Sequence, residues 1–219
     1  MRKTKEKPER RNQIGQRMGR KGHGTRSRLI AAAARLVADR PLRELRVSDI
    51  AREAGVGAPT FYVYFSDVDA VVLAALELHP QSSPEMLEIL DRDWSAGGLE
   101  SARIYVNAYM GLWETNFALL RARNLAADEG DARFLDQRMK DLWPILERLA
   151  AKVAAAQQSG LAPTTLSPSA VAGVISASLE RLAAAPKWGA ANPKLDAELR
   201  EAAAYMLATA LGLASPARR

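Results

Sequence analysis

Apolar residues recur at helical spacing along most of the chain. Between residues 25 and 39 they form one face of a predicted helix, which Pro41 prevents from continuing: Leu29, Ile30, Ala33, Leu36 and Val37. The same spacing, interrupted by Gly and Pro, predicts further helices at about 47–54, 58–64, 67–78, 84–93, 100–123, 131–158, 168–184 and 194–213. We therefore expect an all-α fold.

The segment from Gly57 to Phe65 is ambiguous by propensity alone. Its Phe, Tyr and Val residues favour a strand, whereas Pro59 is typical of the first turn of a helix. Because nothing else in the chain has the pattern of a strand, a strand here would have no partner. We predict a short helix from about Ala58 to Tyr64, and Ser66 as the N-cap of the next helix.

The helices at 47–54 and 58–64 have the dimensions of a helix-turn-helix motif. In that motif the second helix enters the major groove of DNA, and the first braces it against the backbone. Ala51 allows the two helices to approach closely, Gly55 makes the turn, and Val56 fills the space between them. The pattern alone is a weak signal, because many all-α proteins contain such a pair.

The wider string from Val47 to Phe65 is more specific: VSDIAREAGVGAPTFYVYF. It resembles the N-terminal domain of the TetR family of bacterial transcriptional regulators, and the resemblance covers roughly residues 25–75. The Pro-Thr-Phe-Tyr-x-Tyr-Phe stretch is most similar to the EthR-like branch. The resemblance implies a helix-turn-helix DNA-binding domain at 25–70 and a helical ligand-binding and dimerisation domain at 71–215.

The resemblance also implies which residues contact a double-stranded DNA operator. Thr60 and Tyr64 match phosphate-binding positions, Tyr62 matches a position that touches the backbone or a thymine methyl, and Phe61 and Phe65 match core positions. The complete expected DNA-binding set is Ser48, Gly57, Ala58, Pro59, Thr60, Tyr62, Tyr64, Arg26 and Arg28.

Two positions depart from the family pattern. Val68 stands where a lysine is common at the start of the fourth helix, and Gly57 and Ala58 stand where Ser or a charged residue is common. The base-reading edge therefore lacks side chains that form paired hydrogen bonds with bases. Contacts with thymine methyls and recognition of DNA shape would carry more of the specificity.

The net charge of +6 is concentrated at the N-terminus. Residues 1–28 hold 11 Lys and Arg against Glu6 and Glu9, whereas the rest of the chain has a balance of −3. Residues 1–24 show no apolar period, so we expect a disordered basic arm. Such an arm suits an anionic polymer such as DNA, and the alternative is a solvated tail that binds nothing specific.

Several classes of protein are excluded by composition. The chain has no cysteine, and its two histidines, His23 and His79, lie in different segments, so we expect no metal site and no cofactor. No recognisable catalytic set is present, and we expect a protein that is not an enzyme. No apolar run approaches the roughly 20 residues that span a bilayer, so we expect a cytoplasmic protein without membrane contact.

Helix 100–123 carries an aromatic stripe in which Tyr105, Tyr109 and Trp113 are spaced four residues apart. It is either plain core packing or the wall of a ligand cavity, with Asn107, Thr115 or Asn116 orienting the ligand. The resemblance implies such a cavity, and its apolar character favours a small hydrophobic or aromatic effector. The expected lining is Tyr105, Tyr109, Met110, Trp113, Asn116, Phe117, Met139 and Trp143; Trp94 and Trp188 are weaker candidates.

Small residues are frequent in the helices at 168–184 and 194–213, which suits close packing between two copies of the chain. We therefore expect a homodimer formed through these helices as a four-helix bundle. The function expected is a ligand-responsive transcriptional regulator, a repressor released from a palindromic operator by a small apolar molecule. The alternatives are a ligand-independent architectural DNA-binding protein and an all-α small-molecule-binding protein or enzyme.

Overall fold

A computed structural model describes residues 18–185 and 192–213. These residues form nine α-helices and one short 3-10 helix (Leu42–Glu44), and no strand occurs among them, which confirms the all-α prediction. The helices are α1 (Arg20–Asp39), α2 (Val47–Glu53), α3 (Ala58–Tyr64), α4 (Val68–Leu76), α5 (Pro84–Asp91), α6 (Gly98–Asp128), α7 (Ala132–Gln158), α8 (Pro168–Ala184) and α9 (Pro193–Ala210).

The chain divides into two compact units. The first contains the described residues up to His79 together with Ala118–Phe134, and the second contains Pro80–Phe117 and the described residues from Leu135 onward. The linear boundary expected at residue 70 differs from this division, because all of α4 and a later stretch of chain belong to the first unit.

The first helix begins at Arg20, five residues before the expected start at Thr25. Gly22 and Gly24 lower the helix propensity of this stretch, which is why the sequence places it in the arm. In the structure Met18 is buried, and a side-chain carbon added at Gly22 would lie 3.5 Å from the Tyr64 hydroxyl. Packing beside α3 therefore outweighs propensity. The rest of the expected arm, residues 1–17, lies outside the described residues.

The core of the first unit is built where α1 contacts α2 and α4, and where α2 contacts α3. Phe61 and Phe65 are both buried, which confirms their expected core positions. The other buried side chains of this core include Leu29, Ile30, Ala33, Ile50, Ala51, Val71, Val72 and Leu76. Burying large apolar side chains of this kind stabilises a fold by roughly 1.5–3 kcal/mol each.

The N-cap of α4 is Asp67 and not Ser66, so that prediction is wrong. The Asp67 carboxylate accepts a hydrogen bond from the Ala70 backbone N–H at 2.7 Å, and the Ser66 hydroxyl donates to the same carboxylate at 3.1 Å. An ionised acceptor is favoured here over a hydroxyl because the helix N-terminus carries partial positive charge.

One arginine joins the beginning of α4 to the beginning of α7 within the first unit. The Arg133 guanidinium lies 3.3 Å from Asp67, 2.7 Å from Asp69 and 2.9 Å from Asp131. Its hydrogen bonds lower the pKa of Asp131, whereas burial raises the pKa of Asp69 despite the same arginine.

The second unit contains α5, α8, α9, the first part of α6 and most of α7. Arg103 of α6 donates to both carboxylate oxygens of Glu201 of α9, at 2.8 and 2.6 Å. The backbone of α6 leaves helical angles at Asn116 (φ −116°, ψ 19°), beside the division between the two units.

Among the helices that the structure describes, no single one is long and apolar enough to cross a bilayer. Only α3 and α4 taken together reach that length and composition, and they are bent by 53° relative to each other.

Candidate DNA interface and buried aromatic cluster

The turn between α2 and α3 is closed by backbone hydrogen bonds. Gly55 adopts a φ of +68°, a conformation that residues with a side chain rarely adopt. The Val56 N–H donates to the Ala51 carbonyl at 2.9 Å, and the Gly55 N–H donates to the Arg52 carbonyl at 3.1 Å. Ala51 itself is buried. This local geometry is that of a helix-turn-helix.

The orientation of α3 is fixed by Phe61. Its ring is fully buried and lies 5.8 Å from the Phe65 ring and 5.6 Å from the Tyr62 ring, measured between centroids. The carbonyl of Gly57, which precedes the helix, accepts hydrogen bonds from the N–H groups of Thr60 and Phe61. One face of α3 is therefore anchored in the core, and the other is left for a partner.

The expected DNA-binding residues of α2 and α3 lie on accessible surface. Tyr62 has 53% of its surface exposed. Among the others, four are exposed or partly exposed at the beginning of α3 and one lies on α2: Gly57, Ala58, Pro59, Thr60 and Ser48. Tyr64 is partly exposed, with its hydroxyl beside Gly22 of α1. The sequence thus places these side chains on one continuous stretch of chain that a duplex can reach.

Arg26 and Arg28 make contacts inside the first unit. The Arg28 side chain donates to the Ala54 carbonyl at 3.3 Å, at the C-terminal end of α2, and to the Thr25 hydroxyl at 3.4 Å. The Arg26 guanidinium lies 5.1 Å from the centre of the Phe65 ring, within cation–π range. Both arginines therefore brace α1 against the motif, which is a role that their position in the sequence did not reveal.

Two arginines that the sequence did not single out as DNA contacts lie just before α2. Arg43 and Arg46 are exposed, and no ion pair of either is found in the part of the chain that the structure describes. By contrast, Arg40 lies 3.4 Å from Asp49 of α2. The sequence does contain an arginine at every third position from Arg40 to Arg46, a spacing that could have indicated a basic surface before α2.

The start of α4 is not an open phosphate site. Its N-terminal N–H groups face the protein's own carboxylate, Asp67, and Asp69 follows in the first turn. These two acids stand beside Val68, the position where the resemblance would place a lysine. The lack of a lysine at position 68 therefore coincides with carboxylates at the start of α4, which disfavour a phosphate there.

The aromatic stripe of α6 forms a buried cluster in the second unit. Tyr105, Tyr109 and Trp113 are almost completely shielded from solvent. The Tyr105 ring lies 6.1 Å from that of Tyr109 and 6.2 Å from that of Trp94, which is also buried. Gln81 donates a 2.6 Å hydrogen bond to the Tyr109 hydroxyl. Of the other expected lining residues, Met110 is buried and Phe117 is partly exposed.

Some polar groups of this aromatic cluster are hydrogen-bonded to the protein, and others are not. The Trp94 indole N–H donates to the Ile89 carbonyl at 3.0 Å. The Tyr105 hydroxyl and the Trp113 indole N–H are buried and have no hydrogen-bond partner among the residues that the structure describes. Burial, reinforced by Tyr109, raises the pKa of Tyr105 well above its ordinary value, so this phenol stays protonated and remains a donor.

Met139 and Trp143 do not face this interior, so that expectation is wrong. Met139 is 41% exposed and Trp143 is 56% exposed. The Trp143 indole N–H donates to Glu147 on the next turn of α7, at 2.8 Å. The large aromatic ring thus lies along the solvent-facing side of α7, where an acidic neighbour satisfies its polar edge.

The polar side chains expected to orient a ligand are also placed differently. Asn107 and Thr115 are exposed, and Asn116 is partly exposed. Thr115 and Asn116 donate to the carbonyls of Gly111 and Leu112, four residues earlier in the same helix. These amide and hydroxyl groups are engaged by α6 itself. Trp188 lies outside the described residues.

A long apolar groove of about 540 Å³ runs along α8 and α9. Val174 is 69% exposed and Met206 is 64% exposed, although both are large apolar side chains. The groove is lined almost entirely by apolar residues, among them Val171, Ile175, Leu182, Leu199, Ala203 and Ala210. An exposed apolar surface of this extent is typical of a protein interface.

Comparison with protein families gives two matches. Residues 29–75 match "Bacterial regulatory proteins, tetR family", and residues 87–218 match "Tetracyclin repressor-like, C-terminal domain". The second match covers more than half of the chain, and the first contains the whole helix-turn-helix.

Individual relatives agree with these matches. The chain is 29% identical over 144 residues to the HTH-type transcriptional regulator EthR of Mycobacterium tuberculosis; the match covers 63% of this chain and 64% of the relative, less than two thirds of its length. A tetR-family transcriptional regulator from Streptomyces coelicolor has a similar fold, with a TM-score of 0.66, 16% identity, and coverage of 90% of this chain and 83% of that chain. The Bacillus subtilis regulator FadR, crystallised with stearoyl-CoA, gives a TM-score of 0.64, 19% identity, and coverage of 87% and 99%.

Proposed function

The chain belongs to the TetR family of bacterial regulatory proteins, and on this basis we propose that it is a DNA-binding transcriptional regulator. We propose further that it is a homodimeric repressor, released from a palindromic operator when a small, mainly apolar molecule binds the second unit. The observation that carries the proposal is the placement of α3, with Phe61 buried beneath it and Pro59 and Tyr62 exposed.

On DNA, α3 enters the major groove as the recognition helix. Pro59 and Tyr62 face base edges and thymine methyls, and Thr60 and Tyr64 hydrogen-bond phosphates. Phosphate contacts set the position of a protein on the duplex, whereas base contacts and DNA shape set the sequence it prefers. Because the leading edge of α3 carries few hydrogen-bond donors, shape and methyl contacts contribute much of the specificity.

Arg43 and Arg46 extend the phosphate-binding surface on the side of α2. Both guanidinium groups are exposed, and neither forms an ion pair within the described residues. An arginine held by an acidic neighbour must give up that contact to bind a phosphate, whereas these two need not. They therefore join Ser48 as contacts that hold α2 against the DNA backbone.

A second copy of the chain covers the groove on α8 and α9. Two α8–α9 pairs then form a four-helix bundle, and the same apolar surface is buried on both copies, as two-fold symmetry requires. A two-fold dimer presents two α3 helices to successive major grooves, about 34–36 Å apart. The predicted operator is accordingly an inverted repeat.

Effector release follows from two conformations with different spacings of the recognition helices. A ligand shifts the balance between them only by its difference in affinity for the two states. We propose that α4, which contacts α1, carries the change to the DNA-binding helices. The ion pairs of Arg133 hold the beginning of this helix in place.

A second candidate is a ligand-independent architectural DNA-binding protein. It is favoured by the scarcity of base-reading donors at Gly57 and Ala58, since architectural proteins recognise shape and deformability. An enzyme is set aside because the family and the relatives are regulatory proteins.

Selection from random duplexes tests the DNA-binding function. The full-length protein is expected to enrich an inverted repeat whose half-site centres lie about 10 base pairs, or a multiple of this, apart. The same selection with a Thr60→Ala variant, which should fold normally, is expected to yield weaker enrichment of the same sequence. Enrichment of bendable sequence without a repeat would favour the architectural candidate, and no enrichment would contradict both.

The basic segment before α1 is proposed to contribute affinity that does not depend on DNA sequence. Residues 1–17 contain seven Lys and Arg and two Glu. Each phosphate that they neutralise adds about 0.9 to the slope of log affinity against log salt concentration. Removing residues 2–17 is expected to lower that slope by about 2 to 5 while the preferred operator stays the same.

The matched control keeps the length of the segment and replaces its Lys and Arg by Gln. Titrations of labelled operator at several salt concentrations should give the same reduced slope for this variant as for the deletion. A slope equal to that of the unaltered protein would remove the segment from the mechanism.

A further inference from the structure

The second unit contains buried donors that its own residues do not satisfy. Within the described chain, the Tyr105 hydroxyl and the Trp113 indole N–H are two of three buried side-chain polar atoms without a partner; the third is the Ser176 hydroxyl. Buried polar groups in folded proteins are nearly always hydrogen-bonded, because leaving one unpaired costs free energy. Two such atoms on one face of α6 therefore indicate an acceptor from outside the described residues.

The neighbouring aromatic residues, Tyr109 and Trp94, have polar groups that are hydrogen-bonded within the protein. Tyr109 lies between the two donors on the same helix face, and its hydroxyl is bonded to Gln81 at 2.6 Å. Trp94, which packs against Tyr105, has its indole N–H bonded to the Ile89 carbonyl. Among these four described aromatic residues, only Tyr105 and Trp113 have a buried polar atom with no hydrogen-bond partner at all.

The surroundings of Tyr105 favour an uncharged acceptor. Tyr105 is completely buried, and its ring neighbours, Trp94 and Tyr109, are uncharged. Lys152 lies 4.6 Å from the Trp94 ring, where its ammonium donates to the Arg92 carbonyl. An anion brought to Tyr105 would lose its hydration among uncharged aromatic side chains.

We propose that the second unit binds an uncharged, mainly apolar molecule whose acceptor oxygen, such as a ketone, ester or amide carbonyl, takes the free hydrogen of Tyr105 or Trp113. This inference rests on the proposed effector response and narrows it to a chemical class. The aromatic rings bury the apolar part of the molecule, and the two donors select the acceptor. A site with unpaired buried donors rejects an analogue that lacks the acceptor, because the donors then stay unsatisfied.

Three small probes of nearly equal shape separate the possibilities: acetophenone, its hydrocarbon isostere α-methylstyrene, and the anion benzoate. Binding to the full-length protein without DNA is measured by equilibrium dialysis. We expect acetophenone to bind at least about tenfold more tightly than either of the others. Equal binding of the ketone and the hydrocarbon, tighter binding of benzoate, or no ketone binding at millimolar concentration would each overturn the proposal.

Variants identify the donor. Tyr105→Phe, Trp113→Phe and the double variant remove the free hydrogens, and the preference for the ketone should disappear in the double variant and in at least one single variant. Tyr205→Phe is the matched control, because it makes the same change at an exposed tyrosine of α9 that does not line the groove, and it should keep the preference. A ketone preference that persists in the double variant contradicts the proposal.

A buried water bound to Tyr105 is the competing explanation, and it is tested without any ligand. If the hydroxyl is unpaired in the free protein, Tyr105→Phe leaves the melting temperature unchanged or raises it. Tyr109→Phe removes the hydroxyl to which Gln81 donates at 2.6 Å and should lower the melting temperature by roughly a few degrees. A comparable loss in Tyr105→Phe would show that a water already satisfies the hydroxyl, and would overturn the proposal.

The carbonyl stretch of bound, isotope-labelled acetophenone gives a readout that does not depend on the double variant folding. A hydrogen bond from Tyr105 or Trp113 lowers this frequency relative to acetophenone in a hydrocarbon solvent. An unshifted band in the unaltered protein would also count against the proposal. Because all of these measurements omit DNA, their failure leaves the operator selection intact, and failure of that selection leaves these measurements intact.

Discussion

Val174→Asp is expected to leave the protein monomeric at micromolar concentration and to weaken operator binding by about a thousandfold or more. Val174 is highly exposed in the single chain and lines the apolar groove on α8 and α9. In the proposed dimer this position is buried twice, once on each copy. Burying an unpaired carboxylate costs several kcal/mol, roughly, which exceeds what the loss of a valine contact alone would cost.

Ile104→Asp is the matched control, since it places the same charge on an exposed apolar position of α6 that is not among the residues lining the groove. Mass measurement by light scattering and operator titration should show a dimer with normal affinity for this variant. A Val174→Asp protein that remains dimeric would show that another surface joins the copies, and the bundle of α8 and α9 would have to be abandoned.

Phe61→Ala is expected to destabilise the first unit by about 3–5 kcal/mol, because it empties a fully buried site beneath the recognition helix. Such a loss is a large part of the total stability of a typical domain, which is about 5–15 kcal/mol. Thermal unfolding followed by circular dichroism should show an early transition of the first unit, and specific operator binding should be lost with it.

The neighbouring Tyr62→Ala separates folding from recognition. Tyr62 is largely exposed and touches Phe61 only by its ring edge, so this change should cost about 1 kcal/mol of stability. Its effect on the operator complex should be larger than its effect on the melting temperature. If Tyr62→Ala instead binds the operator normally, the exposed face of α3 does not contact DNA.

Much of the fold followed from apolar spacing and from Gly and Pro. The helices at 58–64 and 168–184 have the predicted bounds. The ambiguous stretch around Pro59 is helical, with the proline in its first turn, and no strand occurs among the described residues to pair with it. The start of α1 was missed because Gly22 looks unfavourable in a helix, and the gain from packing beside Tyr64 is not visible in local propensity. Propensity therefore predicts helices better than it predicts their ends.

The candidate sites were predictable to different degrees. Burial of Tyr105, Tyr109 and Trp113 followed from their spacing on one helix face. Trp143 was expected to face the same interior as the aromatic stripe, but Glu147, one turn later, provides an acceptor that lets the indole lie at the surface. The unpartnered hydroxyl of Tyr105 could not be foreseen, since whether a buried donor finds a partner depends on three-dimensional packing.

The Tyr64 hydroxyl beside Gly22 has a consequence for how the N-terminal segment is used. Residues 1–17 are joined to the described chain at Met18, four residues before Gly22. Their attachment point therefore lies close to Tyr64, which is proposed to hydrogen-bond a phosphate. In the proposed complex, we expect the lysines and arginines of this segment to meet the duplex intramolecularly once α3 is bound, at an effective concentration roughly in the millimolar range, so that they need not bind tightly by themselves. Inserting residues between this segment and α1 should lower this effective concentration, and with it the affinity for DNA, gradually. The DNA sequence that α3 prefers should stay the same.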